Sequence, residues 1–138
     1  MYYLGVDLGG TTIKAGICNE NGDILYKDSC KLGAGDIEYA GIASPGTAES
    51  EQGIIVYACT LPFLNFPITK RLSELTGIKR VFVENDANAA AKGEATVGAA
   101  KGYANSVMIT LGTGVGGGVI INNKVYSGFN FAGTELGH

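Results

Sequence analysis

Short apolar runs set off by glycine and asparagine turns open the chain. Tyr2–Leu8 is rich in β-forming residues, Gly9-Gly10-Thr11 reads as a turn, and the next stretch puts Ile13, Ala15 and Ile17 on one face with Lys14 on the other. This predicts a hairpin closed by glycine. Asn19-Glu20-Asn21-Gly22-Asp23 is a second turn signal and 24–30 a third strand, so three antiparallel strands begin the fold. A fourth strand is expected over 37–43, ending at Ser44-Pro45-Gly46, and a short one over 52–57, leading into a proline-punctuated loop. Ile68, Leu72 and Leu75, spaced four and three apart, predict a helix over 68–76, with Pro67 at its start and Gly77 just past its end. A parallel-type strand over 80–84 comes next. Residues 86–100, dominated by Ala, Lys and Glu, then predict a helix despite Gly93 and Gly98, with small residues that allow close packing.

After Gly102 the opening pattern returns: a strand over 106–111, a turn at Gly112-Thr113-Gly114, and a strand over 115–122 containing a glycine triplet. Placing Leu111 on Leu8 superposes Gly112 on Gly9, Ile120 on Ile17 and Asn122 on Asn19, which points to an internal duplication. Two lobes are therefore expected, 1–102 and 103–138, the second barely begun.

Composition narrows the function. With 138 residues, 46% of them hydrophobic, the chain can bury one core. A net charge of −3 without long like-charge runs argues against a nucleic-acid surface or an anionic-membrane patch and favours a small-molecule partner. The 22 glycines amount to roughly twice average usage, and they cluster in turns. The apolar runs are too short to span a bilayer and no leader pattern precedes Tyr2, so a soluble cytoplasmic protein is expected. Cys18, Cys30 and Cys59 form neither a disulfide framework nor a complete metal site, and buried reduced thiols are the simpler reading.

Three stretches can carry chemistry. Asp7, Gly9, Gly10, Thr11, Thr12 and Lys14 join a strand-end carboxylate to a turn whose backbone N–H groups can approach an anion closely. There Asp7 could hold hydrated magnesium, the threonines could donate hydroxyl hydrogen bonds, and Lys14 could meet a phosphate; an ordinary glycine hairpin with a surface lysine is the alternative. Gly112, Thr113 and Gly114 repeat the arrangement, and two such turns suit a nucleoside triphosphate better than one. Neither is a P-loop, because the Lys-Ser/Thr ending is missing and each turn leads into a strand. The second stretch, Val83 to Asn88, lies at a strand-to-helix junction, where open α/β sheets bind ligands; Asp86 there could serve catalysis or simply cap the helix. The third, Glu135 to His138, contains the chain's one histidine, and a lone histidine in such a place is usually just solvated.

Asp7 to Lys14, Gly41 to Gly46, Glu84 to Glu94, Leu111 to Gly118 and Glu135 to His138, in this order, resemble the ROK family of repressors, open reading frames and kinases. The resemblance implies an α/β fold: an actin-like, ribonuclease H-like ATPase lobe with a mixed sheet, plus the first hairpin of a second similar lobe. It implies ATP-dependent transfer of phosphate to a hexose, of glucokinase type and at the 6-hydroxyl. Asp86 would be the general base and Asn85 a sugar hydrogen-bond partner. Glu135 and His138 would be further sugar ligands, with Ser44, Pro45 and Gly46 closing the sugar pocket. The two glycine turns would hold ATP, with Mg2+ near Asp7; His138 would bind zinc only where the family's cysteine motif accompanies it. A homo-oligomer is expected, and a partial, catalytically incomplete chain. A non-catalytic sugar-binding or sensing lobe is the rival. The family's long crossover helix between its third and fourth strands has only 32–36 in its place here; five residues reach about 17 Å, so the fourth strand is expected to pair differently or the segment to have been removed.

Overall fold

The computed structural model describes residues 2–8, 13–26, 37–58, 60–112, 114–134 and 136–137; positions 7, 8, 13 and 14 enter by their backbone. They fall into two compact units, Met1–Asn85 and Asp86–His138.

In the first unit β1 (Tyr2–Leu8), β2 (Ile13–Asn19) and β3 (Ile24–Tyr26) form the expected antiparallel meander. The Asn19 carboxamide oxygen accepts from the backbone N–H groups of Asn21 and Asp23, both at 3.0 Å, and this local alternative to strand pairing turns the chain between β2 and β3. β4 (Tyr39–Ser44) lies parallel to β1, and β8 (Arg80–Asn85) parallel to β4, giving a mixed sheet in the order β3-β2-β1-β4-β8. The fourth strand therefore does not pair differently. Among the described residues β3 ends at Tyr26 and β4 begins at Tyr39; 27–36, which include the expected end of the third strand and the expected five-residue connection, lie outside them. Crossing β2 and β1 means covering three strand spacings, about 14 Å, well within reach of the intervening dozen residues, which could extend to roughly 40 Å.

One face of this sheet is packed. Ile42 and Val83 join Ala48, Ile55 and Ala58 in the core, with Leu72 and Phe63 against them. The core draws on β5 (Thr47–Glu49) and β6 (Ile54–Tyr57), which with β7 (Leu64–Phe66) make a second sheet in the order β5-β6-β7. Only β6 was legible in the sequence pattern; three-residue strands are too short to show a period. Helix α1 (Ile68–Thr76) has the expected bounds and ends on Gly77, whose φ of 77° and N–H bond to Ser73 O make a left-handed cap. Leu75, expected on its buried stripe, is exposed. An open apolar groove runs between α1 and the sheet, lined by Val6, Ile42, Phe66 and Leu72 among others; no candidate site residue lines it.

The second unit starts with α2 (Asp86–Val97) and continues with β9 (Ser106–Leu111), β10 (Val115–Ile121) and β11 (Lys124–Val125), again an antiparallel meander. Ile17 pairs with Tyr26 in the first meander, and Ile120 with Val125 in the second. Both isoleucines are buried. The boundary falls before Asp86 instead of after Gly102, because α2 packs on the β9–β10–β11 sheet. Ala87 and Ala91 lie against the glycine triplet: a Cβ on Gly118 would sit 2.4 Å from Ala91 Cβ and 2.7 Å from the Ala87 carbonyl, and one on Gly116 3.3 Å from Ala87 Cβ. Lys92 Nζ donates to Asn123 O at 2.8 Å, holding the middle of the helix to the β10–β11 turn.

Candidate functional site

Three parallel strands end together in the first unit. Asp7 on β1 is level with Ala43 on β4 and Glu84 on β8, and Ser44 pairs with Asn85 one step further on. Backbone register alone thus brings Asp7, the Ser44-Pro45-Gly46 loop and the Asn85-Asp86 junction to one carboxyl edge, the position where open α/β sheets present ligand-binding groups.

The edge is fixed from within. Asn85 Nδ2 donates to the Gly46 carbonyl at 3.0 Å, tying the end of β8 to the loop after β4. Gly46 is required there: its φ is +86°, and a Cβ would lie 2.2 Å from Tyr57 O. Ser44 is fully buried, and its hydroxyl donates to Pro45 O at 3.2 Å. It acts as a pin beneath the loop, leaving half-buried Pro45 and Gly46 to form the surface. The Glu84 carboxylate accepts from Ser50 Oγ and from the Asn85 N–H, both at 2.9 Å.

Asp86 comes directly after Asn85, as the first residue of α2, and is exposed. Its Oδ1 accepts from the Ala87 N–H at 2.8 Å, and its charge sits at the helix N-terminus, where negative charge is favoured. Capping and exposure coexist, so the capping role does not hide the carboxylate from a ligand.

Within the second unit, Asn88 is buried and accepts from Thr134 Oγ1 at 2.9 Å. Neither residue was singled out from sequence, although an asparagine inside the alanine run 87–91 is the kind of polar intrusion that announces a buried partner. Glu135 and His138 lie outside the described residues, as do Gly9, Gly10, Thr11, Thr12 and Thr113. The β9–β10 turn is open at Gly112 and Gly114: a Cβ added to either meets nothing within 4 Å. The Gly112 N–H is engaged within the turn, donating to Gly114 O at 2.9 Å.

A magnesium ion that keeps most of its waters needs only one or two carboxylates; Asp7, at the end of β1 and opposite Lys14 in register, enters by its backbone alone. Zinc is different. Among the described residues no three His, Cys, Asp or Glu side chains come together, and Cys18 is the one described cysteine, so they offer no closed tetrahedral site. Nor is any described helix long and apolar enough to cross a membrane.

The paired meanders, the parallel β1-β4-β8 edge and the strand-to-helix junction define an α/β protein of the actin-like ATPase class: an ATPase-type lobe followed by the first hairpin of a second. The sequence model of the ROK family matches residues 31–138, and the chain belongs to that family. It is 40% identical to the glucokinase of Thermotoga maritima over 98% of this chain and 49% of that protein. It superposes, with a TM-score of 0.85 and 34% identity, on a ROK family glucokinase from Streptomyces griseus solved with glucose and AMPPNP, covering 100% of this chain and 50% of that one. It is also 38% identical to the xylose repressor of Bacillus subtilis, over 71% of this chain and 25% of the repressor. The chain thus spans about half the length of the curated glucokinases it matches. The Thermotoga match extends over 157 positions against a chain of 138, so at least 19 residues of that relative have no counterpart here.

Proposed function

We propose that the chain serves an ATP-dependent hexose kinase of glucokinase type, with the carboxyl edge of β1, β4 and β8 as its sugar side. The observation that carries this reading is the junction itself: Asn85 is held to the Gly46 carbonyl while the next residue, Asp86, presents an exposed carboxylate at a helix N-terminus. Asp86 takes the proton from the attacking sugar hydroxyl, taken to be the 6-hydroxyl. The sugar oxygen bonds to the γ-phosphorus, the bond to the bridging oxygen of ATP breaks, and ADP leaves. Phosphoryl transfer asks a protein mainly for alignment and charge stabilisation. Asn85, Glu135, His138 and the 44–46 loop orient the sugar. Gly9, Gly10, Thr11, Thr12 and Lys14 serve the triphosphate, as do Gly112, Thr113 and Gly114. Asp7 is the residue that would hold magnesium, which would supply neutralisation of the phosphate charge. The protein is taken to work in the cytoplasm. Similarity to both glucokinases and a glucose-bound structure supports the reading.

Asn85→Ala and Glu135→Gln are each expected to weaken glucose binding about tenfold or more, because each removes a hydrogen-bond partner worth on the order of 1.5 kcal/mol. Isothermal titration with glucose checks this, and unaltered affinity in both variants would rule out the sugar pocket. The similarity to a xylose repressor keeps a second reading in view, a non-catalytic sugar-sensing lobe. Glucose binding without any glucose-dependent ADP release, by a protein completed to the length of its relatives, would favour it.

The nucleotide side has its own test. Gly114→Val meets open space, so the turn should tolerate it and the melting temperature should stay within about 2 °C. Magnesium-ATP affinity should fall, since the side chain blocks backbone approach, while glucose affinity is retained. Equal loss of both ligands would point to misfolding.

A homo-oligomer is also part of the proposal. Val107, Ile109 and Leu111 on β9 are exposed, and β9 is an edge strand. Self-pairing there would cover both apolar surface and unpaired backbone. Light scattering should give more than one copy per particle; a clean monomer at micromolar concentration would contradict it.

A further inference from the structure

We infer that Tyr57, with Leu64 beside it, is the apolar wall of the sugar site: its ring covers one face of the hexose and so favours glucose over epimers that turn a hydroxyl toward that face. This role rests on the sugar-kinase reading proposed for the chain.

Gly46 joins the wall to the site. Its carbonyl receives Asn85 Nδ2 at 3.0 Å, and its Cα stands so close to β6 that a Cβ would fall 2.2 Å from Tyr57 O and 2.8 Å from Ala58 Cα. One residue of backbone therefore separates Tyr57 from Asn85, the proposed sugar partner. The pairing of the small sheet agrees with this placement: Thr47, which follows Gly46, pairs with Tyr57, and Tyr57 pairs with Leu64.

The neighbouring row of that sheet is Ala48, Ile55 and Phe66. Ala48 and Ile55 are buried in the core with Ile42 and Val83. One step toward Gly46 the burial ends, with Tyr57 53% and Leu64 74% exposed. The register shifts between Thr47 and Ala48, which leaves Val56 as the extra residue of β6 in a bulge. Bulges recur beside active sites, where they re-aim a side chain. Here the bulge marks the step at which an aromatic ring and a leucine leave the core, next to the loop assigned to the sugar.

A hexose suits this wall chemically. Its hydroxyls lie around the rim of the pyranose and its C–H groups on the two faces, so the rim can meet Asn85 and the 44–46 loop while one face lies on the phenol ring, the usual division of a small-molecule site into apolar lining and a few orienting polar groups. The ring face cannot replace the water of a hydroxyl pressed onto it, and that loss is costly. Every ring hydroxyl of glucose beyond the anomeric one lies in the rim. Galactose and mannose each turn one hydroxyl to one face, and allose turns one to the other. A wall on either face therefore penalises one of these two sets.

Glucose, galactose, mannose and allose are the probes, with the intact chain and its Tyr57→Ala and Tyr57→Phe variants; Tyr57→Leu serves if alanine does not fold. Titration reads affinity, saturation-transfer NMR with irradiation of aromatic protons reads contact between ring and sugar, and a thermal melt runs in parallel. Tyr57→Ala is expected to weaken glucose binding about tenfold and to cut the transfer to glucose, while the penalised set loses less than about threefold, so that the preference for glucose shrinks. Tyr57→Phe should stay within about twofold of the parent in both readouts, because the ring and not its hydroxyl makes the contact. An equal loss for all four sugars, or glucose binding by the parent that Tyr57→Ala leaves intact, would overturn the wall alone. Absence of binding of all four sugars to the parent would overturn the sugar-kinase reading, and the wall with it.

Discussion

Asp86→Asn is expected to lower glucose-dependent ADP release, in an enzyme completed to the length of its relatives, by a factor of about 10² to 10⁴, the usual contribution of a positioned general base, while leaving the fold almost untouched. The two halves of this expectation have separate physical origins. Asn retains the oxygen that accepts the Ala87 N–H, so the local hydrogen bond at the start of α2 survives. The substitution removes the negative charge at the helix N-terminus, worth about 0.3–1 kcal/mol at an exposed site, which is a shift of a few degrees in melting temperature. Asn cannot take the proton of the sugar hydroxyl. A coupled assay of ADP release beside a thermal melt separates the two effects. Turnover that survives the substitution would remove Asp86 as the base; collapse of the melt would show that its role at the helix start had been underestimated.

Gly118→Val should have the largest effect on folding. Gly118 is buried in the middle of β10, and a Cβ there would lie within 2.4 Å of Ala91 Cβ and 2.7 Å of a backbone carbonyl of α2, so the helix would have to move away from its sheet. Overpacking of this kind costs about 1–3 kcal/mol for small intrusions. A β-branched side chain against a backbone atom should reach or exceed the upper end. Gly93, exposed in the same helix with open space around its Cβ position, is the control. Gly93→Ala should stabilise by about 1 kcal/mol, the helix penalty of glycine. Denaturant melts of the two variants should move in opposite directions, and similar shifts in both would mean that α2 does not pack on β10 as described.

The contrast between these two glycines shows how much the sequence disclosed. The alternation of Ile13, Ala15 and Ile17, the turn residues around Asn19, and the Pro67-to-Gly77 framing of α1 are strong local signals, and each element formed within a few residues of its expected place. The repeated strand, glycine turn and strand were readable too: both parts form an antiparallel meander, with Ile17 buried in one and Ile120 in the other. Non-local partners were not readable. Nothing local says that β4 lies beside β1, that three residues at 47–49 and three at 64–66 form strands, or that Gly116 and Gly118 are spacers for a helix about 30 residues earlier. Likewise, Asn85 and Asp86 were found from their strand-to-helix motif, but the bond that holds Asn85 crosses 39 residues to Gly46, and the partner of Asn88 lies 46 residues away at Thr134.

Whether the carboxyl edge of β1, β4 and β8 is a sugar site is tested most directly by a glucose titration of the 15N-labelled protein followed by amide chemical shifts. The predicted result is a saturable response concentrated at Ala43, Ser44 and Gly46 and at Glu84 to Ala87, which Asn85→Ala weakens in parallel at both places. Shifts confined to the groove beside α1, around Phe66 and Leu72, or no saturable shift at Ser44, Gly46 and Asn85, would contradict it.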